Sequence, residues 1–139
     1  MSDIKNSDTY PTLAFETQQD WETWLEQQHS EARGVWLKLA KKAANLPSIT
    51  YAEAVEGALC YGWIDGQAAS CDSQYWLQKF TPRGPKSHWS QVNRDKVGVL
   101  QAAGKMRDAG LRQVELAQAN GLWEAASAEQ KKAGKPHNA

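Results

Sequence analysis

The segment from residue 60 to residue 90 holds most of the side chains that could do chemistry, CYGWIDGQAASCDSQYWLQKFTPRGPKSHWS. It contains three of the seven tryptophans, both cysteines and a basic turn between two prolines. Asp65 follows Trp63 at the two-residue spacing that puts both side chains on one face of a strand, a face that Gln67 and Ala69 would continue. These residue types suggest a recessed site with aromatic walls and a cationic rim.

The carboxylate of Asp65 has two interpretations. A buried carboxylate needs a partner because an unpaired buried charge is very costly, and Lys79 and Arg83 are the nearest cations in sequence. Asp65 is then either a solvated or paired strand residue, or a group that holds a ligand or acts as an acid or base beside Arg83. The sequence leaves both open.

The turn in FTPRGPKSHWSQVN is stiffened by Pro82 and Pro85. Arg83, Lys86 and the backbone amides of a helix starting after Ser87 could together bind an anion. The same residues also suit a loop that simply enters a helix.

Charge is unevenly distributed along the sequence: residues 1–31 carry one lysine against seven acidic residues, and residues 79–96 carry five basic residues against one aspartate. These segments either solvate separate faces or form a cationic rim around a ligand site.

Established catalytic motifs are absent from the sequence. There is no Walker loop, GxGxxG or HExxH pattern, and the adjacency of Ser87 and His88 does not give a nucleophile–base geometry. Cys60 falls at a predicted helix C-terminus, which disfavours a thiolate. We therefore expect neither a metal nor a cofactor, and the residues leave open whether the protein is an enzyme.

The composition is that of an ordinary globular chain. With 139 residues and a formal net charge of zero, it indicates one domain, over residues 12–124, with flexible ends at 1–11 and 127–139. A nucleic-acid-binding module is an alternative function, because aromatic faces beside Arg and Lys can stack bases and Trp36, Trp63 and Trp76 fall on predicted strands. The other tryptophans fall on apolar faces, so the sequence does not favour nucleic acid as a partner, and it defines no oligomeric state. The start has no apolar signal segment and no run long enough to span a membrane, so we expect a cytoplasmic protein.

Hydrophobic periodicity and capping signals predict an α+β fold with a small mixed sheet of three or four strands and helices packed mainly on one face. The clearest local signal is a capping box of Thr50 and Glu53, followed by a helix that Gly62 ends in a left-handed conformation. Asp108 is predicted to cap the last helix. The predicted helices are 18–29, 51–61, one beginning after Ser87 or Ser90, and one beginning at Asp108; the main strands are 35–40, 63–69 and 75–80.

Five motifs together resemble the YdeI/OmpD-associated family, labelled bacteriocin-protection proteins. They are WETWLEQQHSEARGVWLKLAKK, TYAEAVEGALC, ALCYGWIDGQ, FTPRGPKSHWSQVN and GKMRDAGLRQVELAQANGLW. The likeness covers roughly residues 13–124. One departure is Asp108-Ala109, where many relatives are expected to have Thr-Pro-Ala.

The resemblance implies a role in stress or bacteriocin resistance without a settled reaction or cofactor. The ligand expected from the residues and the resemblance together is an anionic small molecule or an acidic protein segment. The expected ligand-binding residues combine the hairpin, the turn and the helix start: Trp63, Asp65, Arg83, Ser87, Trp89 and Asn93.

Overall fold

The computed structural model of the protein describes residues 10–126, and it confirms the predicted α+β fold. A mixed four-stranded sheet has the order β1-β2-β4-β3; β1 pairs with β2 in parallel, and the other pairs are antiparallel. The elements are β1 (Thr12–Leu13), α1 (Gln18–Gln28), β2 (Val35–Ala40), α2 (Tyr51–Cys60), β3 (Trp63–Ser70), β4 (Tyr75–Pro82), α3 (Gln91–Ala102) and α4 (Asp108–Ala119).

The described chain divides into two compact units. The first takes in residues 10–58 and 63–82, and the second takes in residues 59–62 and 83–126. The prediction of one domain over residues 12–124 stays a prediction. Most of the segments predicted to be flexible, 1–11 and 127–139, lie outside the described residues. In the part that is described, the carbonyl of Pro11 accepts a hydrogen bond from the backbone N–H of Trp36.

The core of the first unit follows from the period-two pattern of β2. Val35, Leu37 and Leu39 are all at most 1% exposed, and they form the inner face of the sheet. Helix α1 packs on this face. Its Trp21 ring lies 5.5 Å from the ring of Phe80, and Phe80 pairs with Val35 in the sheet. The Trp21 indole N–H also donates to the backbone carbonyl of Ala54 in α2, so the polar atom of this buried ring has a hydrogen-bond partner.

The start of helix α2 is a capping box, as predicted. The Thr50 hydroxyl accepts from the backbone N–H of Glu53 at 3.1 Å, and the Glu53 carboxylate accepts from the backbone N–H of Thr50 at 3.0 Å. The helix ends at Cys60, and Gly62 follows with φ of 77°. Only glycine adopts this conformation without strain, which confirms its role as the helix stop.

Replacement of Thr50 by alanine should lower the free energy of unfolding by about 1 kcal/mol, because the N–H of Glu53 loses its acceptor. Urea denaturation of the purified variant and the wild type measures this difference. An unchanged denaturation midpoint would show that the box contributes nothing to stability.

Strand β3 carries a β-bulge that exchanges its two faces. Asp65 lies opposite Phe80 and Ala68 lies opposite Gln78, so three steps along β3 match two along β4. One extra residue in a strand moves every later side chain to the other face. The predicted face is therefore right as far as Asp65 and wrong beyond it, where Ala68 rather than Gln67 continues it.

The side chain of Gln78 secures this bulge. It is 4% exposed, and its amide donates to the backbone carbonyls of Gly66 at 2.8 Å and Gln67 at 3.3 Å. A bulge leaves backbone groups outside the ladder, and buried groups of this kind need a partner. Gln78 thus fixes the path of β3 just beyond Asp65.

The second unit is mainly helical. Ser90 caps α3 by accepting from the N–H of Asn93 at 3.1 Å, which decides between the two serines considered as caps. The predicted cap of α4 is wrong: Arg107 occupies that position without a side-chain bond, and Asp108 is the first helical residue. The Arg107 N–H instead donates to the carbonyl of Cys60, so a backbone contact positions this helix start.

Candidate functional site

Asp65 contacts the first residue of α2. Its carboxylate accepts a hydrogen bond from the hydroxyl of Tyr51 at 2.5 Å, and both side chains are partly exposed. The capping box at Thr50 determines where α2 begins, and so it also places Tyr51 beside β3. The partner that the structure gives to the Asp65 carboxylate is therefore a phenol.

The environment of Tyr51 keeps its hydroxyl protonated. Burial is the largest cause that raises the pKa of Tyr51 above its ordinary value, followed by the hydrogen bond to Asp65 and the negative charge of that carboxylate. A protonated phenol can only donate to the carboxylate. The pair consequently holds the Tyr51 ring in one orientation at neutral pH.

A cleft of about 490 Å³ opens beside this pair in the first unit. Tyr51 and Trp76 form its aromatic wall, with ring centroids 6.1 Å apart and planes inclined by 39°. The exposed Lys41 and Lys42 also line it. Further lining residues are Leu39, Leu46 and Ile49, which are apolar, and Asn45, Ser48 and Thr50, which are polar.

Backbone contacts hold the rim of the cleft in place. After β2 ends, the N–H of Lys41 donates to the carbonyl of Gln74 at 2.8 Å, which extends the pairing toward the hairpin turn. The Ser48 hydroxyl accepts from the N–H of Ala40 and donates to the carbonyl of Ile49. These bonds close the loop between β2 and α2, so both lysines lie on a fixed backbone.

The cleft has the chemistry of an anion-binding site with an apolar wall. Ammonium groups of Lys41 and Lys42 supply positive charge, and the rings of Tyr51 and Trp76 supply flat apolar surface. Such a combination suits a molecule with a charged group at one end and a planar or apolar body at the other.

Trp63, one of the predicted site residues, lies in the core of the first unit. It is 1% exposed, and its ring meets that of Trp24 edge-on at 5.9 Å. Trp63 therefore packs β3, the strand that also carries Asp65, against α1. Trp76, on the neighbouring strand β4, takes the wall position.

Arg83 lies in the second unit, where its hydrogen bonds stabilise the turn before α3. The residue is 5% exposed, and one guanidinium nitrogen donates to the Ser87 hydroxyl at 3.1 Å and to the His88 carbonyl at 3.0 Å. Its guanidinium carbon lies 3.8 Å from the centroid of the Trp89 ring. Such a stacked, bonded arginine determines the shape of the turn.

The structure thus brings three predicted site residues together, Arg83, Ser87 and Trp89, and places Asn93 in the first turn of α3 just beyond them. Asp65 belongs to the other unit, where its partner is Tyr51. A ligand shared by Asp65 and Arg83 stays a prediction.

Sequence reasoning missed the four residues that give the cleft its chemistry: Lys41, Lys42, Tyr51 and Trp76. A signal existed for Tyr51, because it directly follows the cap of the best-defined helix. Lys41 and Lys42 carried no such signal, because in the sequence they are indistinguishable from the polar end of strand β2.

Residues 10–126 contain no group of three or more His, Cys, Asp or Glu side chains arranged to hold a metal ion. In the same part of the chain, no helix is both long and apolar enough to cross a membrane. Cys60 and Cys71 form no disulfide with each other; the first is buried and the second is exposed.

Comparison with known proteins identifies the family. Residues 13–113 match the model of a domain of unknown function, DUF8412, and the chain belongs to that family. No curated protein and no solved structure matches the chain. The matched range covers strands β2, β3 and β4, the cleft and the Arg83 turn.

Proposed function

We propose that this protein binds a small anionic molecule in the cleft beside Tyr51. The observation that carries the proposal is the combination of Lys41 and Lys42 with the rings of Tyr51 and Trp76 around one concavity. The lysines pair with a carboxylate, sulfonate or phosphate group, and the rings contact the apolar body of the same molecule.

The size and order of the cleft favour a small molecule over a protein segment. Its volume of about 490 Å³ is typical of a small-molecule site, for which roughly 300–1,000 Å³ is usual. The hydrogen bond to Asp65 orients Tyr51 before any ligand arrives. This reduces the conformational entropy that the Tyr51 side chain loses when a ligand binds.

The cellular role in this proposal comes from the resemblance to bacteriocin-protection proteins. A cytoplasmic protein that captures an anionic compound fits a stress or resistance response, because sequestering a molecule requires no catalytic group. Capture of the compound, rather than its conversion, is the activity that we propose.

The fluorescent probe 8-anilinonaphthalene-1-sulfonate tests the proposal, since it joins one sulfonate to an aromatic body. The wild-type protein should bind it with saturable, one-site fluorescence enhancement. The double variant Lys41→Gln/Lys42→Gln should bind about tenfold more weakly, because exposed ion pairs each contribute up to about 1 kcal/mol.

The matched control removes the same charge elsewhere. Lys86 and Lys105 are exposed and do not line the cleft, so Lys86→Gln/Lys105→Gln should bind the probe like the wild type. Equal weakening in both double variants would mean that general charge, rather than the cleft, attracts the probe. Weakening in the control alone would assign the anion site to the turn around Arg83.

A further inference from the structure

The outer face of the sheet, opposite the face that packs on α1, carries aromatic rings and lysines side by side. Strand β2 alternates, so Trp36 and Lys38 point away from the buried Val35, Leu37 and Leu39. Strand β4 adds Lys79 opposite Trp36, and Tyr75 near Lys38. With Tyr10 these residues form what we call the ring–lysine face, and all are partly exposed.

Each lysine of this face lies over a ring. The ammonium nitrogen of Lys38 is 4.5 Å from the centroid of Tyr75, and that of Lys79 is 5.3 Å from Trp36 and 5.9 Å from Tyr10. These contacts keep a positive charge beside every ring. From the Trp36–Lys79 pair to Tyr75 the ladder runs four residues, or roughly 13 Å.

The charges of the first unit are separated between its layers. Its described cations all lie on β2 or β4 or in the segments that border β2: Arg33, Lys38, Lys41, Lys42 and Lys79. Most of its acidic residues lie on or beside the helices: Glu16, Asp20, Glu22, Glu26, Glu31, Glu53 and Glu56. The five basic and nine acidic residues described in this unit make it acidic as a whole, yet the outer face of its sheet is cationic.

Only two acidic residues of this unit lie elsewhere in the described chain. Asp65 is on the inner face with Phe80 and bonds Tyr51. Asp72 accepts from the backbone N–H groups of Gln74 and Tyr75, which lowers its pKa and ties its charge to the hairpin turn. Among residues 10–126 no acidic residue belongs to the ring–lysine face, although the charge of Asp72 lies near enough to that of Lys38 to interact with it.

We infer that the ring–lysine face binds a single-stranded nucleic acid. Unpaired bases stack on exposed aromatic rings, and lysines beside those rings pair with the phosphates that link the bases. The outer face supplies both groups on two neighbouring strands, with Leu77 between Lys79 and Tyr75, over a length that suits a few nucleotides. This inference goes beyond the proposed cleft and does not depend on it.

The expected mode of binding does not read the sugar. The face offers rings and ammonium groups, which recognise bases and phosphates in DNA and RNA alike. A duplex hides its base faces inside the stack, so only its phosphates remain available. Single strands of both kinds should consequently bind better than a duplex of the same length.

Fluorescence anisotropy of 5′-fluorescein-labelled dT15 and rU15 tests the inference with the full-length protein. Both should bind, with affinity that falls as sodium chloride rises from 50 to 200 mM. In Lys38→Gln/Lys79→Gln the slope of log K against log salt should flatten by about 1.4, since each phosphate contact in a single strand contributes about 0.7. Trp36→Leu should weaken binding about tenfold through lost stacking.

Two controls make the result decisive. Lys86→Gln/Lys105→Gln loses the same charge away from this face and should keep the wild-type affinity and slope. A dT15·dA15 duplex should bind more weakly than dT15. No binding at 50 mM salt, equal weakening in both lysine pairs, or preference for the duplex would each overturn the inference. Circular dichroism of each variant checks that it is folded.

Discussion

Gly110→Ala is expected to be among the most destabilising single-methyl additions in this protein, lowering the free energy of unfolding by about 3 kcal/mol or more. A Cβ atom at this position in α4 would lie 2.4 Å from the carbonyl oxygen of Cys60 and 2.6 Å from that of Leu59. Both obstructing atoms belong to the backbone, so no side chain can rotate away. The helix would have to move off the segment on which it packs.

Gly98→Ala provides the matched control. Gly98 is also inside a helix, α3, but nothing lies within 4 Å of its Cβ position. Alanine there should stabilise the protein by roughly 0.5–1 kcal/mol, because it restricts the unfolded chain and favours helix. Guanidinium denaturation of both variants measures the difference, and equal stabilities would refute the close approach at Gly110.

The second large effect is expected for Arg83→Lys, with a loss of about 2–3 kcal/mol of stability. The buried guanidinium bonds to the Ser87 hydroxyl and the His88 carbonyl while it stacks on Trp89. A lysine ammonium keeps the charge but cannot reproduce the planar stacking and the fork of donors. The substitution removes hydrogen bonds from a charged donor to two partly buried acceptors, and a bond of this kind contributes about 1.5–3 kcal/mol.

Arg112→Lys is the control for this change, because Arg112 is an exposed residue of α4. Its stability should stay within about 0.5 kcal/mol of the wild type. If Arg83→Lys instead unfolds like the wild type but no longer binds the anionic probe, then Arg83 belongs to a ligand site and the structural role assigned to it is wrong.

Most of the fold could be predicted because its signals are local. The alternation in β2 and the capping box at Thr50 each specify an element within a few residues of sequence. Gly62 marked a helix end for the same reason. Predictions of this kind depend only on residues that are close to one another in the sequence.

The errors arose where distant residues decide the outcome. The bulge after Asp65 depends on how β3 pairs with β4, and the amide of Gln78 that secures it comes from the partner strand. The start of α4 depends on the carbonyl of Cys60, far away in sequence, so no capping pattern reveals it. Periodicity alone contains neither contact.

The candidate site was only partly predictable for a similar reason. Asp65 stood out as a carboxylate beside an aromatic strand residue, but its partner Tyr51 lies 14 residues earlier. The cleft forms because the loop with Lys41 and Lys42 returns to the side of Trp76. Such a concavity is a property of the tertiary structure, and the sequence shows only its separate parts.

A two-dimensional ¹H–¹⁵N NMR titration with 8-anilinonaphthalene-1-sulfonate tests the central claim most directly. The account predicts that the largest shifts fall on backbone amides of residues 41–51 and on the indole N–H of Trp76, and that Lys41→Gln/Lys42→Gln reduces them. Shifts confined to residues 83–93 would contradict it by placing the anion at the Arg83 turn. Shifts scattered over the protein without saturation would contradict it by showing that no specific site exists.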